Sequence, residues 1–140
     1  NLNSMRDWGH AKDYVEAQWL MLQQSQPEDF VIATGKQYSV KDFINLTAKY
    51  LDMKIDWRGE DLNEIGSIDD QDIIKVDPRY FRPTEVDSLL GDSSKAKDKL
   101  KWIPKISFEQ LVKEMTEEDL KLAKNEILIK NKNFSKKIDN

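Results

Sequence analysis

Apolar positions at Ala11, Val15, Trp19 and Leu22, joined by Tyr14 and Met21, recur at helical spacing and predict an amphipathic helix from His10 to Gln24. Pro27 ends it, because a proline disfavours helical geometry at the residue before it. The run Phe30-Val31-Ile32-Ala33-Thr34-Gly35 reads as a short buried strand with Gly35 supplying the turn. Ser39, with Asp42 three positions on, approximates a capping box, and Val40, Phe43, Ile44, Ala48 and Leu51 then share one face of a second helix.

Lys54 to Trp57 alternates in the manner of a half-buried strand, and Ile73 to Val76 makes another. Between them, Gly59 to Asp72 holds Glu60, Asp61, Glu64, Asp69, Asp70 and Asp72 with no basic residue, which predicts a solvated loop. Asp77 to Pro83 carries two prolines and two arginines and suits a rigid irregular segment. Asp92 is placed to cap a short helix through Leu100, and Pro104 breaks the chain. Ser107 with Gln110 then opens a last helix whose buried face is Phe108, Leu111, Val112, Met115, Leu122 and Ala123. Apolar periodicity lapses after Ile129, so residues 1–129 read as one domain and 130–140 as a basic, frayed and disordered tail. The fold class is α/β, a small mixed domain. The chain opens at Asn1 without an initiator Met and runs at once into Arg6-Asp7-Trp8, and so reads as the remainder of something longer.

Composition narrows what such a domain does. The length, 140 residues, fits one domain, and a net charge of −4 offers no general basic field for nucleic acid. With no Cys and one His, disulfide frameworks, thiol nucleophiles and Cys/His metal sites are excluded. No apolar run approaches the roughly 20 residues of a membrane span, and no signal peptide is evident, so no membrane role and a cytoplasmic location are expected.

The glycines at 9, 35, 59, 66 and 91 form no Gly-rich cluster joining a strand to a helix, so no dinucleotide fingerprint is present. His10 has no Ser or Cys arrangement beside it, and Tyr50 with Lys54 has the spacing of an acid/base pair but falls at the end of a helix. No catalytic, cofactor-binding or metal-binding residue is assigned. What remains is anion recognition by Arg6 and Arg82, since guanidinium offers a planar fork of donors that matches phosphate oxygens. Glu85, two residues past Pro83, is an acceptor for ribose hydroxyls. Spacing alone favours reading these three as solvated surface charges. Trp8, Trp19, Trp57 and Trp102 read as core or domain-contact residues, and the acidic loop lacks the pattern of a calcium site.

Arg6-Asp7-Trp8-Gly9-His10-Ala11-Lys12-Asp13-Tyr14-Val15 resembles the extended short-chain dehydrogenase/reductase family, and within it the GDP-mannose 4,6-dehydratases. The likeness continues through Pro27 to Gly35, Gln37 to Val40, Val76 to Asp87 and Leu90 to Asp92, in order along the chain. It implies the C-terminal, substrate-binding part of such a subunit, with the Rossmann half absent. It further implies Arg6 and Arg82 as diphosphate clamps and Glu85 as the ribose acceptor. The implied parent reaction converts GDP-mannose to GDP-4-keto-6-deoxymannose by NADP-dependent oxidation, water elimination and reduction. NADP would be bound by the absent N-terminal domain, and these residues alone would not be catalytic. Expected partners are GDP-mannose, the missing Rossmann domain of the same subunit and a homo-oligomer. Lys101 departs from the family pattern, which has glycine before the Trp of Leu-Gly-Trp. The alternatives are a non-catalytic interaction module and part of a related nucleotide-sugar epimerase or reductase.

Overall fold

The computed structural model describes residues 1–82, 86 and 88–138, with side chains through Lys130. Eleven elements follow the chain: β1 (Met5–Arg6), α1 (Ala11–Leu22), β2 (Tyr38–Ser39), α2 (Val40–Tyr50), β3 (Asp56–Arg58), a 3-10 turn (Asp61–Asn63), β4 (Ile65–Ile68), β5 (Gln71–Lys75), β6 (Ser88–Leu89), α3 (Ser94–Leu100) and α4 (Phe108–Ile138). The class is mixed α/β, as expected. Two small sheets carry it, one ordered β2-β1-β6 and the other a meander β3-β4-β5. In the first, β1 is central: it pairs antiparallel with β2 (Arg6 opposite Tyr38) and parallel with β6 (Arg6 opposite Leu89).

The helix starts follow their local chemistry. Both halves of the Ser39–Asp42 box form: Asp42 N–H donates to Ser39 Oγ (3.0 Å) and Ser39 N–H to the Asp42 carboxylate (2.8 Å). Ser107 and Gln110 do the same for α4, with distances of 2.8 and 3.3 Å. At α1 the cap is His10, whose Nδ1 accepts from Lys12 N–H at 3.0 Å. Asp92 acts two residues ahead of the first residue of α3, accepting from the Ser94 amide at 2.9 Å.

The core is not where the α1 stripe predicts. Val15, Trp19 and Leu22 are 61, 59 and 82% exposed, whereas Asp13 and Ala17 are buried. The reason is polar. Asp13 Oδ2 accepts the amides of Lys105 (3.0 Å) and Ile106 (2.9 Å), and its carbonyl accepts Trp102 Nε1 (2.9 Å), so the carboxylate side of the helix turns inward. Ala17 then packs with Ala96, Leu100 and Trp102, covered by Tyr14, Leu20, Met21, Phe30 and Ile32. A second, aromatic cluster joins β2, α2 and α4: Tyr38 stacks on Phe108 at 3.9 Å between centroids, Phe43 meets Phe108 edge-on at 5.7 Å, and Trp8 lies on Phe43 at 5.2 Å.

Other expectations shift. Residues 30–34 are partly buried but belong to no strand, and at their end the Thr34 amide and hydroxyl are taken by a side chain described below. The acidic stretch is solvated at Glu60, Asp61, Asp69 and Asp70 but is not a plain loop: it holds the 3-10 turn, β4 and the start of β5, and Glu64, 3% exposed, is paired with Lys41. On α4, Phe108 and Val112 are buried as expected, but Met115 and Leu122 are exposed and Thr116 is buried, its hydroxyl donating to the Val112 carbonyl at 2.7 Å. Helix α4 runs to Ile138, and no Pro or Gly follows Pro104 to stop it. No helix among the described residues is long and apolar enough to cross a membrane.

Lys101 ends α3 in the left-handed region, φ 57°, with its ammonium on the Asp98 carbonyl at 2.7 Å. A side chain there is strained by about 1 kcal/mol relative to glycine. Lys101→Gly is therefore expected to stabilise the protein by roughly that amount, read as a higher urea midpoint at unchanged m-value.

Candidate functional site

Arg6 lies on the central strand β1, and its Nη1 donates to the Met5 carbonyl (2.8 Å) and to that of Val86 (2.9 Å), eighty residues away. Arg6 has further interactions besides these. Arg82 is exposed and sits four residues before Val86, which bounds the separation of those two Cα atoms at about 14 Å. One sheet thus brings the strand of Arg6 beside the segment of Arg82. Glu85 lies outside the described residues. Arg79, the remaining guanidinium of that stretch, is turned onto its own neighbour, with Nη2 at 2.6 Å and Nε at 3.1 Å from the Asp77 carboxylate. That guanidinium holds the Asp77 carboxyl below its usual range.

Asp7, one residue on, organises the facing wall. Its Oδ1 accepts from the Thr34 amide (2.9 Å) and hydroxyl (2.5 Å), and its Oδ2 from the Gly35 amide (2.9 Å). One carboxylate so takes the place of a strand partner for the amides of Thr34 and Gly35, at the end of the 30–35 segment. Gly35 turns with φ +73°, as the sequence predicts.

Between these walls runs a groove of about 370 Å³ with Arg6, Asp7 and Tyr14 at one side and Val31, Ala33 and Leu90 at the other. Two glycines set its shape. A Cβ on Gly9 would stand 2.1 Å from the Tyr14 hydroxyl, and one on Gly91 would stand 2.2 Å from Ala33 Cβ. Burial raises the Tyr14 phenol above its usual value, helped by the charges of Asp7 and Asp13. A second cleft, of about 310 Å³, opens among Trp8, Lys36, Tyr38, Lys105 and Phe108, and its lining includes neither Arg6 nor Arg82. The first groove combines a guanidinium with apolar walls, an arrangement that suits an anionic ligand carrying a less polar body.

Sequence reasoning missed Asp7, Tyr14 and Gly91. A cue existed for Asp7: the amides of Thr34 and Gly35, if not in a ladder, need an acceptor, and an acid adjoins the selected arginine. The Tyr14–Gly9 and Gly91–Ala33 approaches are long-range packing and leave no local mark. Tyr50 and Lys54 are uncoupled, the first donating to the Glu109 carbonyl (3.2 Å) and the second paired with Asp56 (3.0 Å). Among the described residues no group of three or more His, Asp or Glu side chains is placed to hold a metal ion.

A family model described as GDP-mannose 4,6 dehydratase matches residues 1–115. The chain is 50% identical over 146 residues to the GDP-mannose 4,6-dehydratase of Yersinia enterocolitica serotype O:8 / biotype 1B, covering 96% of this chain and 39% of that protein. It is 54% identical over 127 residues to the GDP-mannose 4,6 dehydratase of Dictyostelium discoideum, covering 89% and 36%. Among solved structures, the UDP-glucose 4-epimerase of Thermotoga maritima with UDP-glucose superposes with a TM-score of 0.66 at 25% identity, over 88% of this chain and 34% of that one. The chain therefore spans between a third and two-fifths of the length of the relatives named here.

Gly91→Ala is expected to cost about 1–3 kcal/mol by overpacking, and Ala33→Gly in the same chain to recover much of it, measured by urea unfolding. The raised phenol of Tyr14 has a signed consequence as well. Its folded value lies above the unfolded 10.0, so its contribution to stability is full below pH 10 and is lost as pH rises through the folded value. Tyr14→Phe should flatten that alkaline decline, followed as thermal midpoint against pH.

Proposed function

The chain belongs to the GDP-mannose 4,6-dehydratase family, and from that membership we propose that residues 1–129 form the GDP-sugar-binding portion of such an enzyme. In the whole enzyme GDP-mannose is converted to GDP-4-keto-6-deoxymannose by NADP-dependent oxidation, water elimination and reduction. The part played by these residues is recognition. Arg6 and Arg82 clamp the diphosphate from two sides, each donating charge-assisted hydrogen bonds to phosphate oxygens, and Glu85 accepts from the ribose hydroxyls. The observation that carries this reading is the hydrogen bond from Arg6 Nη1 to the Val86 carbonyl, which ties the strand of one arginine to the segment of the other.

NADP does not fit these residues. Pyrophosphate binding at a strand-to-helix turn needs glycines that leave open space above the backbone. Here the turn from β1 to α1 has Gly9 with the Tyr14 hydroxyl over it, and the turn from β6 to α3 has Gly91 with Ala33 against it. In this reading the nicotinamide, its acid/base partners and the catalytic step belong to the length of the relatives that the chain does not span. The exposed stripe Val15, Trp19 and Leu22 on α1 supports the same reading, since a contiguous apolar helix face is a natural seat for that part of the subunit. A homo-oligomeric enzyme working in the cytoplasm completes the proposal.

Calorimetric titration of the polypeptide carrying this chain tests it. GDP-mannose should bind, and Arg82→Ala should weaken it by about 10- to 100-fold, the worth of a charge-assisted hydrogen bond. Binding unaffected by Arg82→Ala would remove the clamp, and preference for UDP-glucose would favour the epimerase alternative.

A further inference from the structure

The groove beside β1 is lined by three polar side chains, those of Arg6, Asp7 and Tyr14, and the rest of its lining is apolar or glycine. Two of the three are already engaged. Asp7 gives both oxygens to Thr34 and Gly35, and Arg6 Nη1 donates to the Met5 and Val86 carbonyls. The Tyr14 hydroxyl has no hydrogen-bond partner among the described residues. Its ring meets Trp102 edge-on, with 6.3 Å between centroids, and its oxygen lies over Gly9, the residue whose missing side chain admits it. A half-buried phenol without a partner, on the wall of a groove, is a group that a ligand satisfies.

The phenol is held in place before any ligand arrives. The Tyr14 amide donates to the His10 carbonyl at 3.2 Å in the first turn of α1, and the neighbouring Asp13 is pinned by the amides of Lys105 and Ile106. A donor fixed in this way loses little conformational freedom on binding. Burial, helped by the charges of Asp7 and Asp13, raises the phenol above its ordinary value, so near neutral pH it carries its proton. Beside a guanidinium, the acceptor that suits such a donor is an anionic oxygen. Gly9, beneath the hydroxyl, is three residues from Arg6, which bounds the separation of those two Cα atoms at about 11 Å, a span that an arginine side chain and a diphosphate cover together. We propose that Tyr14 is a binding residue for the diphosphate, its hydroxyl donating to a phosphate oxygen alongside the guanidinium of Arg6. This rests on the reading of Arg6 as a diphosphate clamp and adds to it a donor from helix α1.

Titration calorimetry on the polypeptide carrying this chain tests it through Tyr14→Phe, which keeps the ring against Trp102 and removes only the hydroxyl. The exchange should weaken GDP-mannose, GDP and inorganic pyrophosphate alike, each by about tenfold, the scale of one hydrogen bond to a charged group, with the urea midpoint at pH 7 unchanged. Combined with Arg6→Lys, the loss should fall short of the product of the two single losses, because both donors serve one anion. A loss confined to GDP-mannose would put the hydroxyl on the sugar and overturn the proposal, as would unchanged affinity for all three ligands. The two readings fail separately. Arg82→Ala weakening GDP-mannose while Tyr14→Phe does not would keep the clamp and remove Tyr14. Pyrophosphate bound through Tyr14 by a protein that does not bind GDP-mannose would keep Tyr14 and remove the GDP-sugar reading, and a protein that binds none of the three would remove both.

Discussion

The buried carboxylate of Asp13 decides which way the first helix faces. Three hydrogen bonds converge on that residue, from the amides of Lys105 and Ile106 and from the Trp102 indole. Leaving them unmade would strand the buried Asp13 carboxylate and Trp102 indole N–H at about 1–3 kcal/mol each. With Asp13 inward, Ala17 follows onto Trp102, and Val15, Trp19 and Leu22 are carried outward. Because only four residues separate β1 from α1, the same choice orients Arg6 and Asp7. A polar requirement, rather than the apolar stripe, therefore sets the frame on which the groove is built.

The groove is held by clearances as much as by bonds. Asp7 satisfies the amides of Thr34 and Gly35 with two oxygens, and Gly9 and Gly91 allow a phenol and a methyl group to sit where a side chain would otherwise be. Each is a single-atom margin in a packed interior, where even one methylene is felt. The two-residue strands β1, β2 and β6 contribute few ladder bonds, so side-chain contacts supply much of the register.

Local chemistry was legible in the sequence and long-range chemistry was not. The boxes Ser39–Asp42 and Ser107–Gln110 mark α2 and α4 correctly because a cap is complete within four residues. The turn at Gly35 follows from one residue's backbone freedom. By contrast, β1, β2 and β6 are too short to show alternation, and the 30–34 run resembles a strand because it is apolar, yet it belongs to none, and a carboxylate from residue 7 takes the amide at its end. The inward turn of Glu64 depends on Lys41, twenty-three residues away. Arg6 and Arg82 were singled out by guanidinium chemistry, and the adjacency of their segments is a property of the sheet that no spacing reveals.

The donor that joins Arg6 to Val86 is also a group an anion would seek. A phosphate oxygen that took the Nη1 proton now given to Val86, rather than the one given to Met5, would displace the Val86 carbonyl, so anion binding at that proton and the contact to Val86 would be linked. Filling such a site releases one tether as it forms another, and the free energy of that exchange makes ligand and loop report on each other in equal measure.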